Sequence, residues 1–281
     1  MNILVTGRGT SGSWKVRGVQ LGKALGARVK PKADESDIYW ADAVVLVKRP
    51  LHDFMHALKQ SGKPWFWDVV DFYPQPAATG WSKKYAISWV QKQIKTYKPT
   101  GVIWPNEKMA LDCSNSENDI VLYHHHRPNI QLNKIREKVS VVGYEGSEKY
   151  LGYWKSKIIK QCEIRNWNFV INQGTHVDWD ICIALRSSEH SGYVQKNWKS
   201  NVKLANAQGS GTPFIGAFES GYIETASESE IYCGNFSDLE AAFSMLEDYQ
   251  MRKYISESLR SKAYSVADAA ADMQVYLKAF L

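Results

Sequence analysis

The chain has 281 residues, 44% of them hydrophobic and 23% charged, with a formal net charge of +6 and a mean hydropathy of −0.39. That length supports one large core or two smaller ones, and two units of about 130 residues each are the natural division. Apolar runs fall well short of the ~20 residues a membrane helix needs, and no basic, apolar leader opens the chain, so a cytoplasmic protein with no membrane partner is expected, monomeric in the simplest case.

In chain order, residues 2–6 read as a short apolar strand, followed by the glycine-rich loop GRGTSGS and a helix over 14–25. A β-branched strand over 43–47, a helix over 53–60 and a strand over 64–70 come next. Helical periodicity covers 83–98, with Ile87, Val90 and Ile94 on one side, and 101–104 is a further strand. A polar, turn-rich region containing HHHRPN leads to a second series, with strands over 139–142, 168–171 and 180–185 and a helix over 150–165. Helices are expected over 238–246, 250–262 and 266–280. The βαβα order implies an α/β protein with two doubly wound parallel sheets. The corresponding division is 1–135, 136–265 and a C-terminal helix within 266–281.

Several motifs carry little chemistry. Cys113, Cys162, Cys182 and Cys233 form no CxxC pair, so neither a zinc site nor a disulfide framework is indicated. In an extended segment only His124 and His126 of the three consecutive histidines share a face, and no neighbouring carboxylate cluster completes a metal site; a role at the junction between units fits better. Trp14, Trp81, Trp104, Trp154, Trp179 and Trp198 fall near loop ends, where rings pack cores or stack on a sugar or base. The loop GRGTSGS lacks the Lys-Ser/Thr ending of a phosphate-binding P-loop.

Residues 198–225, WKSNVKLANAQGSGTPFIGAFESGYIET, are the most informative. Asn201 or Ser200 caps a helix whose first turns carry Lys199 and Lys203, Gly209 to Pro213 end it, and Phe214-Ile215-Gly216 lead towards Glu219 and Glu224. A helix start offers unpaired N–H groups and partial positive charge, so a diphosphate there is held by backbone and lysines together. This order of a basic residue, a small-residue helix, Gly-x-Pro, a strand and Gly-x-x-Glu resembles the second domain of two-domain glycosyltransferases of the GT-B type. The match rests on Lys203, Ala205, Ala207, Gly211-Thr212-Pro213 and Gly221-Tyr222-Ile223-Glu224. It departs at Asn206, where the family carries a ribose-binding glutamate; an asparagine still bonds a hydroxyl but without charge.

The resemblance implies a nucleotide-sugar donor, UDP-linked by preference, held by the second domain. Gly143, Tyr144 and Gly146 stand where relatives hold donor phosphates, with Lys149 and Arg186 as the basic residues nearest to them. The last helix is expected to cross back onto the first domain. The first-domain loop, with Arg8, Gly9, Ser11 and Gly12, would face the cleft and the acceptor.

The stretch WFWDVVDFYPQP places Asp68 and Asp71 at the carboxyl edge of a parallel sheet, where such folds bind ligands and where a carboxylate can take a proton from an acceptor hydroxyl. Asp71, Pro74, Pro76 and Trp81-Ser82 resemble the small DNA β-glucosyltransferases of T-even phages, whose aspartate is the catalytic base. This implies Asp71 as base, Asp68 as the alternative, inversion at the anomeric carbon and a hydroxymethylated pyrimidine in DNA as acceptor, in the host cytoplasm if the chain is phage-encoded. Residues 1–135 carry 19 basic against 11 acidic side chains, net +8, and residues 136–281 are net −2. Such an excess suits a polyanionic acceptor such as double-stranded DNA, with Arg8, Lys15, Arg17, Lys48, Arg49, Lys83, Lys84, Lys92, Lys95 and Lys98 as candidates. A surface-polysaccharide transferase acting on a lipid-linked glycan, or a binding protein that has lost catalysis, are the alternatives. No DxD pair stands out as the kind that metal-dependent transferases use, so metal is not expected to be needed for chemistry.

Overall fold

The structure, a computed structural model, describes residues 1–49, 52–71 and 81–281. The first sheet contains β1 (Ile3–Gly7), β2 (Arg28–Val29), β3 (Ala43–Val47), β4 (Trp65–Asp68), β5 (Gly101–Trp104) and β6 (Ile120–Val121). Their order is β2-β1-β3-β4-β5-β6, and every pairing is parallel. A π-helical turn, Trp14–Gln20, runs into α1 (Leu21–Ala24), and α2 (Glu35–Trp40), α3 (His52–Ser61), α4 (Lys83–Tyr97) and α5 (Glu107–Cys113) complete this half.

The second sheet contains β7 (Val141–Tyr144), β8 (Asn168–Ile171), β9 (Ile181–Ala184), β10 (Phe214–Gly216) and β11 (Ile231–Tyr232), in the order β11-β10-β9-β7-β8. It too is wholly parallel. Around it lie α6 (Trp154–Ile164), α7 (Tyr193–Asn197), α8 (Val202–Ser210), α9 (Ser220–Glu224), α10 (Phe236–Glu247) and α11 (Tyr249–Ser261), and the chain ends in α12 (Val266–Lys278).

Strands buried on both faces explain the near-continuous apolar runs. Along β3, Val44 and Leu46 join Trp65, Trp67 and Trp104 on one face, while Ala43, Val45 and Val47 join Phe66 and Ile103 on the other. That second face is covered by the last helix: Ala269, Ala270, Met273 and Leu277 of α12 are buried against Ile3, Val5 and Val45. Val194 and Trp198, far along the chain, pack into the first face. The second sheet has its own core, centred on Val142, Ile181, Ile183, Phe214, Ile215 and Phe243.

Each sheet has a point where successive strands leave in opposite directions. In the first it lies between β1 and β3, in the second between β7 and β9. Such switch points open a crevice at the carboxyl ends of the strands, where α/β folds bind ligands. Helices α2, α5, α7 and α9 and the edge strands β2, β6 and β11 were not anticipated; all are short, and the signals they carry are local caps, the capping box Asp34–Asp37 of α2 and Asn106 at the start of α5.

Candidate active site

The carboxyl edges of the two sheets meet across a cleft, joined by contacts from named side chains. Asn201 accepts the His124 N–H at 2.9 Å, Asn206 accepts the Arg127 N–H at 2.9 Å, and Arg127 pairs with Glu145. A cavity of about 410 Å³ lies between the halves, lined by Gly12, Lys15, Gln20, His125, Arg127, Glu145, Val202 and Asn206. A second, of about 220 Å³, lies at the ends of β9, β10 and β11, with Tyr153, Arg186, Lys196, Phe218 and Glu219 among its walls.

Asp71 leaves the end of β4 and meets one lysine from each half of the molecule. Lys48, at the end of β3, pairs with one carboxylate oxygen, and Lys199 donates to the other at 3.2 Å. Burial pushes the carboxyl up, but Lys199 and Lys48 outweigh it and hold Asp71 below the usual aspartate range. Two strained turns aim this group. The Asp71 N–H donates to the Val69 carbonyl at 2.7 Å and the Arg49 N–H to the Val47 carbonyl at 2.9 Å, with Val70 and Lys48 at φ 64° and 68° in the centre of each. A buried β-branched residue in the left-handed region costs about 1–3 kcal/mol, which the surrounding strands must supply.

Across the cleft, α8 begins without a side-chain cap. The Asn201 side-chain Oδ1 accepts from the His124 N–H instead, so the first N–H groups of the helix have no side-chain cap. Lys203, half-buried in the first turn, lies 4.3 Å over the Tyr144 ring, and among the described residues no carboxylate pairs with it. A Cβ built on Gly146, at φ 140°, would come 3.3 Å from its ammonium nitrogen, so the bare glycine leaves that space open. Burial, with the Arg186 charge adding to it, lowers Lys203 to about 8. An unpaired cation at a helix start next to bare backbone is what a diphosphate would complete. Arg186, tied to Glu219 at 2.9 Å, borders the same region.

Several expected site residues have other work. Arg17 and Asp68 form a fully buried ion pair at 2.8 Å, and Arg17 also donates to the Tyr123 carbonyl. Neither is open to a substrate, which removes Asp68 as alternative base and Arg17 as acceptor contact. Gly143 exists for packing, because a Cβ there would lie 1.8 Å from the Trp179 ring. Lys199 precedes α8 rather than lying in it. Glu224 accepts the Glu107 and Lys108 N–H groups at 2.7 and 2.9 Å and the Tyr123 hydroxyl at 3.2 Å, so it caps α5 in the first half.

The remaining expectations divide between the cleft and its surroundings. Lys149 is exposed and lies 5.1 Å over the Tyr150 ring. Ser11 caps the turn that begins at Trp14, and Gly9, at φ 89°, gives room to Pro31. Gly12 and Lys15 do reach the cleft, and Arg8 is exposed. Of the tryptophans, Trp14, Trp104, Trp154, Trp179 and Trp198 are buried in the cores, although Trp154 also borders the smaller cavity. Pro74 and Pro76 lie outside the described residues.

His125, Arg127 and Glu145 line the cleft but were not singled out for it. Their signal was the turn-rich junction HHHRPN, which sequence separation alone could not connect to Glu145. Burial raises the thiols of Cys113, Cys162, Cys182 and Cys233 to about 12, so none is a nucleophile. Among the described residues no group of three or more histidine, cysteine or carboxylate side chains could hold a metal ion.

No model of a known protein family matches this chain, and no curated protein matches it in sequence. Its fold, however, is that of solved GT-B glycosyltransferases. Anabaena HepE, solved in complex with UDP, superimposes with a TM-score of 0.68 at 11% identity over 99% of this chain and 100% of its own. A glycosyltransferase from Rickettsia africae gives 0.59 at 12% identity, over 99% and 98%. AviGT4, a glycosyltransferase involved in avilamycin A biosynthesis, gives 0.60 at 9%, over 99% and 97%. These likenesses establish the architecture of two parallel-sheet α/β domains; the chemistry has to be argued from the cleft.

Proposed function

We propose that this protein is a glycosyltransferase that moves a sugar from a nucleotide-sugar, UDP-linked by preference, to an acceptor hydroxyl. The observation that carries this reading is the half-buried Lys203 in the first turn of the uncapped α8, with Lys199 just before the same helix reaching Asp71 of the other half at 3.2 Å. In the proposed reaction the donor diphosphate is held by the α8 N–H groups, Lys203 and Arg186. Asp71 takes the acceptor proton as the acceptor oxygen bonds to the anomeric carbon and the bond to the diphosphate breaks, giving inversion. Metal is not needed, because the leaving charge falls on these cations; full activity in chelator is the expected result.

For the acceptor, the resemblance of Asp71 to the base of phage DNA glucosyltransferases and the basic first half favour a hydroxymethylated pyrimidine in DNA. Arg17 is spent in the core and Lys48 and Lys83 pair with carboxylates, but Lys84, Lys92, Lys95 and Lys98 remain exposed on and just after α4, a helix with no acidic residue. That face is polar apart from Tyr85, which suits a phosphate backbone better than a lipid surface. Calorimetric titration with UDP, GDP and ADP tests the donor half: binding of UDP that is lost in Lys203→Met but kept in Lys203→Arg supports the reading, and no binding of any nucleotide refutes it.

A further inference from the structure

Asp71 is gripped by two lysines that differ in what else holds them. Lys48 sits at the centre of its own strained turn and also donates to Ser13 of the glycine-rich loop at 3.1 Å, so it belongs to the rigid edge of the first sheet. Lys199 comes from the opposite half. Its backbone carbonyl is fixed to Asn106 at 2.9 Å, but its side chain is a flexible four-carbon stem whose ammonium meets Asp71 at the longer distance of 3.2 Å. It stands three residues before Val202, at the helix start that would hold a diphosphate. Among the described residues, His124 of the junction and Asp68, the latter paired with Arg17, are further titratable groups near Asp71.

We propose that Lys199 is a donor-responsive counter-ion: it pairs with Asp71 while no nucleotide is bound, and passes to the donor diphosphate when one is, leaving Asp71 to receive the acceptor's proton. This rests on reading the cleft as a nucleotide-sugar site. The side chain turns from a single carboxylate towards a more highly charged diphosphate near its own helix, while its backbone stays anchored on Asn106. Asp71 keeps Lys48, so it remains oriented but loses one of the two cations that stabilise its ionised form. With the Lys199 ammonium withdrawn, the carboxylate has one positive charge fewer in contact with it and is a better proton acceptor. The exchange thus ties the activation of the base to the presence of the donor. Lys199 acts through Asp71 and is in that respect a positioning residue.

The test is a pH titration of the Asp71 carboxyl by carbon-13 NMR, assigned with Asp71→Asn, in the wild type, Lys199→Met and Lys199→Arg, each with and without UDP, whose binding is followed in parallel by calorimetry. In the free protein the Asp71 midpoint should move up in Lys199→Met and stay near the wild-type value in Lys199→Arg. Saturating UDP should move the wild-type midpoint up towards that of Lys199→Met, and should move Lys199→Met itself much less. UDP that binds with measurable heat yet leaves the wild-type midpoint unmoved overturns the exchange while sparing the proposed function. An upward move of equal size in Lys199→Met also overturns it, since the charge of UDP alone would then explain the shift. Absence of binding heat in the wild type overturns both.

Discussion

Lys203 and Asp71 are the two side chains on which the proposed chemistry rests. An ammonium lowered to about 8 by burial and by Arg186 is only partly protonated at mildly alkaline pH. A bound diphosphate favours the charged form and raises that value again, so binding near pH 8 must take up a proton. UDP affinity should be level below about pH 8 and fall as pH rises from there towards the ordinary lysine value of 10.5. Calorimetry in buffers of different ionisation heat checks this, and proton-neutral binding around pH 8 would remove Lys203 from the site. The placement of Asp71 and Arg186 after strands and of Lys203 in the first turn of a helix was legible in the sequence. The pairing of Arg17 with Asp68 was not, since it joins groups 51 residues apart, and no local pattern records which of two nearby aspartates meets an arginine.

Among the elements, the regular strands and long helices follow from apolar runs and periodicity, while short pieces depend on contacts that only the fold creates. Helix α5 has seven residues; it is held at its start by Asn106, whose side chain accepts the Met109 N–H at 2.8 Å, and by Glu224 from 117 residues away. Glu224 looks like a donor ligand in its Gly-x-x-Glu motif, yet its two oxygens are taken by backbone N–H groups of α5. Glu224→Ala should therefore cost about 1–3 kcal/mol of stability, by leaving these donors unsatisfied, with UDP affinity unchanged. A thermal melt and a UDP titration of the same variant decide the matter; an unchanged melt with weakened UDP binding would return Glu224 to the donor site.

At the scale of the molecule, the two sheets are not independent. Helix α12 returns from the end of the chain to cover the first sheet, Trp198 inserts into the same half, and Asp112 accepts from Tyr193 and Trp198 at 2.6 and 3.0 Å. With so much of the second half's chain packed on the first, the protein should unfold in one calorimetric transition. Saturating UDP should raise that whole transition, by about 2.7 kcal/mol at a hundredfold excess over Kd. Two transitions, of which UDP moves only one, would mean that the cleft joins separately stable units.

The most direct test of the central claim is release of UDP from UDP-sugars, with hydroxymethylated DNA, unmodified DNA or no acceptor, by the wild type and by Asp71→Asn. The proposed function predicts release that requires an acceptor hydroxyl, is greatest with hydroxymethylated DNA, and falls by about 100-fold or more in Asp71→Asn, which should still bind UDP. Turnover that Asp71→Asn leaves intact, or no turnover with any donor and acceptor despite UDP binding, would contradict it.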